Sequence, residues 1–109
     1  MTLRPALLLL PTLLVTVAGC AHTFETTRTP SGQLCADMPI VPANEKTERA
    51  YHRLGPLRSE PAAITEADRL YSLRRVACAQ GADAVIEAAN EESATGQAFS
   101  SGTGVVWTK

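Results

Sequence analysis

The apolar segment at the start of the chain ends in a cysteine, and this ending limits how much of the chain is left to fold. Arg4 carries a positive charge near the start, and an apolar stretch then covers about residues 6–18. This stretch contains Pro11 and is shorter than the about 20 apolar residues that a membrane-spanning helix needs. A charged start, a short apolar core and then small residues are typical of a secretory signal. We therefore predict that residues 1–19 are a signal peptide.

The last residues of this signal, Val17-Ala18-Gly19-Cys20, resemble the lipobox of bacterial lipoproteins. The resemblance implies that the Cys20 sulfur receives a diacylglyceryl group and that cleavage falls between Gly19 and Cys20. A thiolate is a suitable nucleophile for this step, and two acyl chains give stable membrane anchoring. In enteric-type bacteria an Asp after the cysteine retains a lipoprotein in the inner membrane. By that analogy, Ala21 favours the outer membrane, with the protein facing the periplasm.

Two other outcomes remain open for this end of the chain. Conventional cleavage after Ala21 would leave Cys20 without a lipid or remove it. An uncleaved hydrophobic anchor would keep the segment in the membrane, although its length and Pro11 disfavour a membrane span.

The composition of residues 20–109 restricts the partners of the mature protein. Loss of Arg4 leaves nine of the ten Lys and Arg residues against eleven Asp and Glu, a formal charge near −2. This charge gives no electrostatic basis for binding nucleic acid or anionic lipid. The five aromatic residues of the mature part, in a chain with seven prolines and seven glycines in total, predict a small core. Because small domains bury a low fraction of their surface, we expect additional stabilisation.

Residues 20–47 differ in composition from the rest of the mature chain. They contain three prolines and many Thr, Ser and Asn residues, with no sustained period of 2 or 3.6. We interpret them as the lipidated N-terminus followed by a Pro/Thr-rich tether. Five residues near its end are too apolar for a pure linker and are expected to pack onto the domain: Leu34, Cys35, Met38, Ile40 and Val41.

Residues 48–109 predict a small α+β domain with the order strand–helix–strand–strand. YHRLGPLR is strand-like, and Gly55-Pro56 suggests a bulge or an edge position. A helix begins at the N-cap Thr65 and stops at Gly81. Residues 82–89 and 98–107 then form two strands, with the Ser101–Gly104 segment as a bulge or turn. A strand–helix–strand unit has parallel strands, so one helix packs on a small mixed sheet.

Three segments of this domain, YHRLGPLR, LRRVACAQGADAVI and GTGVVW, resemble a group of small envelope domains. The group comprises the RcsF-type stress-sensing lipoproteins and the YbjQ-type domains, which are sometimes labelled heavy-metal-binding. The resemblance covers about residues 50–108. It implies an α+β fold, a lipidated cysteine, a flexible spacer and signalling by contact with partner proteins. The RcsF-type cysteines in and after the strand at 82–89 are absent here, so that disulfide pattern cannot be transferred.

Residue patterns for catalysis or metal binding are weak. The chain has no C-x-x-C, H-E-x-x-H, G-x-S-x-G or Walker-type motif. His52 could join Cys35 or Cys78 on a metal, but a structural zinc site usually needs four ligands. Three carboxylates near a turn suggest a solvated surface: Glu87, Glu91 and Glu92. We therefore predict no enzyme activity, no metal site and no cofactor, with Cys78 too helix-interior to act as a nucleophile.

The remaining cysteines, Cys35 and Cys78, predict a disulfide. Once Cys20 is acylated they are the only two thiols left, and the signal sends them to an oxidising compartment. Cys35 stands among the apolar residues that end the tether, and Cys78 lies near the end of the helix. Two buried, unpaired cysteines remain the alternative.

These observations together predict a lipid-anchored, non-enzymatic module that binds another envelope protein, with a role in envelope stress sensing or signalling. A first alternative is a structural or assembly accessory of the envelope. A second is a redox or metal-handling module that uses Cys35 and Cys78.

Overall fold

A computed structural model describes residues 23–109, which form one α-helix and a four-stranded sheet. The strands are β1 (Ile40–Pro42), β2 (Tyr51–Arg58), β3 (Ala84–Glu92) and β4 (Ala98–Trp107), and the helix is α1 (Glu66–Gln80). Two short 3-10 turns, Phe24–Thr26 and Cys35–Asp37, precede the sheet. The predicted α+β fold with one helix on a small mixed sheet is confirmed. The predicted signal peptide and Cys20 lie outside the described residues.

Helix α1 begins and ends where its capping residues require. The Thr65 hydroxyl accepts a hydrogen bond from the Asp68 N–H at 3.1 Å, and Glu66 and Asp68 lie at the positive end of the helix dipole. Gly81 ends the helix in the left-handed region, with φ of 90°. Leu73 and Ala77 point inward and are fully buried. The predicted caps at Thr65 and Gly81 are both confirmed.

The strand order is β1-β3-β4-β2, so β1 and β2 are the two edges of the sheet. Strand β4 runs antiparallel to both of its neighbours, while β1 runs parallel to β3. Strands β2 and β3 are therefore parallel, as expected for a strand–helix–strand unit, with β4 inserted between them. This arrangement makes α1 cross over β4.

Two glycines in β4 leave room for neighbouring side chains on the α1 side of the sheet, Gly104 for Gln80 of α1 and Gly102 for Val85 of β3. Gly102 and Gly104 are buried within the strand, where a Cβ atom would collide with the side chains of Val85 and Gln80. The segment Ser101–Gly104 lies inside strand β4, so its prediction as a turn is wrong. Two bulges do lie beside it, but their extra residues are on β2 and β3 rather than on β4. The hairpin turn lies earlier, where the Ser93 N–H donates to the Gln97 carbonyl. The bulge predicted around Gly55 is present, as a register shift between Arg53 and Gly55.

The segment predicted as a tether belongs to the folded domain from Thr23 onward. Cys35 and Met38 are buried in the main core cluster, and Ile40 pairs with Val85 in the sheet. Thr29 is also buried, and its side chain anchors a turn closed by the Gln33 N–H. The apolar residues near the end of the segment explain the difference, because Cys35, Met38 and Ile40 pack into the core on the α1 side of the sheet and Val41 packs on its other face. The domain thus includes residues well before position 48.

Asp83 fastens this N-terminal segment to the end of the sheet. Its carboxylate is 2% exposed and accepts hydrogen bonds from the Ser31 N–H at 2.8 Å and the Trp107 N–H at 2.9 Å. Burial alone raises the pKa of Asp83, but these hydrogen bonds outweigh it and hold the pKa below its usual range. The Asp of the GADAVI segment is therefore a buried, ionised clamp between two distant parts of the chain.

We predict that Asp83→Asn lowers the free energy of unfolding by about 2–3 kcal/mol at pH 7, because an amide replaces an ionised acceptor of two N–H groups. The folded pKa lies below the unfolded value of about 3.9. The Asp83 contribution is therefore complete above that pH and is lost as the pH falls through the folded pKa. Urea unfolding at pH 7 and at decreasing pH should show the gap between the two proteins narrow below about pH 4.

Asp37→Asn is the matched control, since the Asp37 side chain is exposed and accepts no hydrogen bond within residues 23–109. Equal losses in the two variants would contradict the role of Asp83.

Candidate functional site

The sheet has one face covered by α1 and one face with no helix over it among residues 23–109. The first face packs Leu57 and Val85 against Leu73 and Ala77 of α1. Successive strand residues point to opposite faces, so Ala84 and Ile86 lie on the other side, where they cluster with Val105. We call this second surface the helix-free face. Paired positions place these further residues on it: Tyr51, Arg53, Pro56 and Arg58 of β2, and Phe99, Ser101, Thr103 and Trp107 of β4.

The connection between β1 and β2 covers one end of the helix-free face. Because these strands are opposite edges of the sheet, residues 43–50 must cross from one edge to the other. Their first part borders a pocket of about 330 Å³ together with Tyr51, Ile86 and Glu87. This crossing explains why Ala84 and Ile86 are buried although no helix covers them. The other end of the face remains open.

Three arginines of the helix-free face each lie over an aromatic ring: Arg49 over Trp107, Arg53 over Tyr51 and Arg58 over Phe99. The distances from Cζ to the ring centroid are 4.7, 5.8 and 3.8 Å, respectively. These distances are within the range of cation–π interactions. We call this set the arginine–aromatic row. It uses three of the five aromatic residues of the chain.

Glu87 holds the middle of the arginine–aromatic row in place. A register shift between Ile86 and Ala89 forms a bulge in β3, and Glu87 adopts a positive φ of 57° there. Its carboxylate accepts two hydrogen bonds from Arg53, each 2.8 Å, and one of 2.8 Å from Thr103. These contacts lower the pKa of Glu87 to about 2 and raise that of Arg53. The bulge thus links β3, β4 and β2 across the open part of the face.

The row presents donors and apolar surface side by side. The Arg53 guanidinium donates to the Glu87 carboxylate. In contrast, no residue of the 23–109 segment accepts a hydrogen bond from the Arg58 guanidinium. A guanidinium held flat on a ring keeps its N–H groups at the edge for a carboxylate. Arginine and aromatic side chains are also the residues enriched at the energetic centres of protein interfaces. The arrangement can bind a carboxylate next to an apolar group.

The predicted disulfide between Cys35 and Cys78 is present in the structure. The two Cα atoms are 5.8 Å apart, within the usual range for a disulfide. Cys35 is only 1% exposed and belongs to the core cluster under α1. The bond therefore joins the N-terminal segment to the helix, on the side of the sheet opposite to the arginine–aromatic row.

The other residues considered for chemistry do not converge. His52 is exposed on β2, and no three His, Cys, Asp or Glu side chains within residues 23–109 are placed to hold a metal ion. Glu91 accepts a hydrogen bond from Ser101, and Glu92 is exposed at the end of β3. An apolar groove of about 330 Å³ separates α1 from β1 and β3. In the part of the chain that the structure describes, no helix has the length and apolarity needed to cross a bilayer.

Sequence reasoning missed the arginine–aromatic row, although a part of its signal was present. Tyr51 and Arg53 are two residues apart in a strand, which places them on one face. The partners of Arg49 and Arg58 come from β4. Their identification therefore required the register between β2 and β4, which a bulge between Arg53 and Gly55 alters.

No family model, curated protein or solved structure matches this chain.

We predict that replacing both bonded cysteines, Cys35→Ala with Cys78→Ala, lowers the free energy of unfolding by about 2–4 kcal/mol. The bond closes a chain segment with a sequence separation of 43 residues, and chain entropy assigns such a loop about 4 kcal/mol at 25 °C. Guanidinium unfolding of the native and double-variant proteins measures the loss. Reductant should lower the free energy of unfolding of the native protein and leave that of the double variant unchanged.

Mass spectrometry without reductant provides the chemical check on this bond. The native protein, purified without reductant, should be two hydrogens lighter than its reduced form. Free thiols at Cys35 and Cys78 would contradict the disulfide.

Proposed function

We propose that this protein is a lipid-anchored, non-enzymatic binding module of the bacterial envelope, attached to the outer membrane through Cys20. The observation that carries the binding role is the arginine–aromatic row on the helix-free face. The row combines guanidinium donors with the flat apolar surface of aromatic rings. At its centre, the Glu87 carboxylate holds Arg53 in an ion pair. In this proposal, the domain acts by contact with another envelope protein in stress sensing or signalling, as the RcsF-type resemblance implies.

The two cysteine features support the location. The Val17–Cys20 segment resembles a lipobox, and a disulfide between Cys35 and Cys78 is typical of a protein that folds in an oxidising compartment. Both features favour export to the periplasm. A lipid on Cys20 would then retain the domain at the membrane.

The chemistry of the row favours a protein partner that presents carboxylates beside apolar side chains. Arg58 has its guanidinium 3.8 Å from the Phe99 ring centroid and supplies donors at the open end of the face. Arg49 donates to the Lys109 carbonyl at 2.8 Å and lies over Trp107 at the other end. An acidic, partly apolar segment would match both ends of the row.

The burial of Cys35 favours a structural disulfide over the redox alternative. A redox-active bond needs access for an attacking thiolate; Cys35 is 1% exposed, and Cys78 is half-buried against the core. The assembly alternative differs in its cellular consequence. Deletion of a signalling module alters a stress-induced transcriptional output, whereas deletion of an assembly accessory causes an envelope defect without that response.

We predict that Cys20→Ser prevents lipidation and yields an unprocessed or soluble precursor, because a serine hydroxyl does not replace the thiol as acyl acceptor. Membrane fractionation and the mass of the N-terminal peptide measure this outcome. A variant that fractionates with membranes after loss of its signal would contradict the lipobox interpretation.

For the binding face, we predict that Arg58→Glu reduces partner crosslinking in cells by at least about tenfold, since interface arginines can contribute about 2 kcal/mol or more. A photoreactive residue at Pro56, exposed on the same face, captures the partner. The matched control is Arg75→Glu on α1, where the side chain is 51% exposed and pairs with Glu60 at 3.3 Å. Equal effects of the two charge reversals would contradict the assignment of the helix-free face.

A further inference from the structure

The N-terminal end of the described chain is fixed to the outer side of α1. The Phe24 ring meets the Tyr71 ring edge-on, with centroids 5.0 Å apart, and the Tyr71 hydroxyl donates to Glu25 at 2.6 Å. The Cys35 N–H donates to the Thr27 carbonyl at 2.8 Å. Together with the disulfide to Cys78, these contacts hold the segment after Thr23 against the helix.

The position of Tyr71 on the helix gives the direction of this attachment. An α-helix turns about 100° per residue, so Tyr71 points about 200° around the helix from Leu73, which faces the sheet and is fully buried. Tyr71 therefore points away from the sheet, and its side chain is 43% exposed. The chain enters the domain on the side opposite to the helix-free face.

The distance from this entry point to the proposed lipid is short. Only Ala21 and His22 separate Cys20 from Thr23, so the Cα atoms of Cys20 and Thr23 lie within about 11 Å of each other. A folded domain of this size has a radius of gyration of about 12 Å. The connection is thus shorter than the domain is wide, and the domain cannot turn freely above the membrane.

We infer that the outer side of α1 lies against the phospholipid bilayer that holds the Cys20 anchor, and that the helix-free face is directed into the periplasm. This inference rests on the proposed lipidation of Cys20. The bilayer, rather than a protein, contacts the α1 side because the lipid on Cys20 holds that side at the membrane. This contact does not depend on the charge of the lipid headgroups.

The side chains on the α1 side fit contact with lipid headgroups. Ile64 precedes the helix N-cap and is 78% exposed, and Tyr71 combines an apolar ring with a polar hydroxyl. Aromatic rings with a polar end are favoured where a membrane meets water. The arginine–aromatic row, on the opposite side of the sheet, then remains free for a protein partner.

The single tryptophan of the chain makes this orientation measurable. Trp107 lies on the helix-free face. The full lipidated protein is purified in detergent and reconstituted into phosphatidylcholine vesicles that contain a headgroup-nitroxide lipid, which quenches nearby indole fluorescence. In a Trp107→Phe background, Tyr71→Trp places a probe on the outer side of α1, and Ile64→Trp places a second, exposed probe just before the N-terminus of the helix. Both are called the α1-side probes.

Quenching of the α1-side probes should be at least about twofold stronger than quenching of native Trp107, because the fixed N-terminal segment holds α1 near the headgroups. Two probes keep the test valid if one substitution alters the fold, which urea unfolding detects. Insertion of about 20 Gly and Ser residues between His22 and Thr23 gives a flexible span of about 25 Å. The insertion should remove most of the difference.

Equal quenching of all probes in the lipidated protein, or stronger quenching of Trp107, would overturn the orientation alone. The mass of the N-terminal peptide separates this result from failure of the anchor. A peptide without lipid would show that the proposed anchoring is wrong, and the orientation would be wrong with it.

Discussion

The bond between Cys35 and Cys78 is the constraint on which most of the architecture depends. It joins a proline-rich segment, with little secondary structure of its own, to helix α1, where Cys78 packs against the main core. Once that segment is held, Met38 is buried, the Met38 carbonyl accepts a 2.8 Å hydrogen bond from Arg74, and β1 lies in register beside β3. Each of these contacts is weak by itself, because β1 has only three residues. The disulfide adds to them by holding the segment against α1.

A second constraint is the shortage of large apolar side chains. The main core contains Met38, Leu57, Leu73 and Val85, with alanines and a cysteine in the remaining positions. Small residues let α1 approach the sheet closely. Gly102 and Gly104 have no Cβ atom that would collide with Val85 and Gln80 in this interface. The aromatic residues are placed outside this core, two at the surface of α1 and three on the helix-free face. Close packing of small residues therefore leaves the large rings available for surface contacts.

The sequence predicted the features that depend on a few identifiable residues, namely the ends of α1 and the cysteine pair. Thr65 and Gly81 define α1 because capping needs only neighbouring backbone groups, and the cysteine pair could be inferred once Cys20 was assigned to a lipid. Strand β1 could not be predicted, since three residues ending in Pro42 show no periodicity. The arginine–aromatic row was missed for a related reason. Two of its three pairs join residues about 40 or more positions apart, and a bulge in β2 shifts the register between β2 and β4.

The free edge of β2 has a consequence for the lipid-anchored state proposed above. Molecules confined to one surface meet far more often than in solution, and an exposed strand edge is a template for unwanted pairing between them. The Ser59 N–H donates to the Ser100 carbonyl of β4. Backbone polar groups alternate in direction along a strand, so those of Pro56 point away from the sheet. Proline has no N–H to offer, and the neighbouring bulge at Gly55 breaks the row of carbonyls. The β2 edge is thus poorly suited to extend the sheet by pairing with a strand of a second copy.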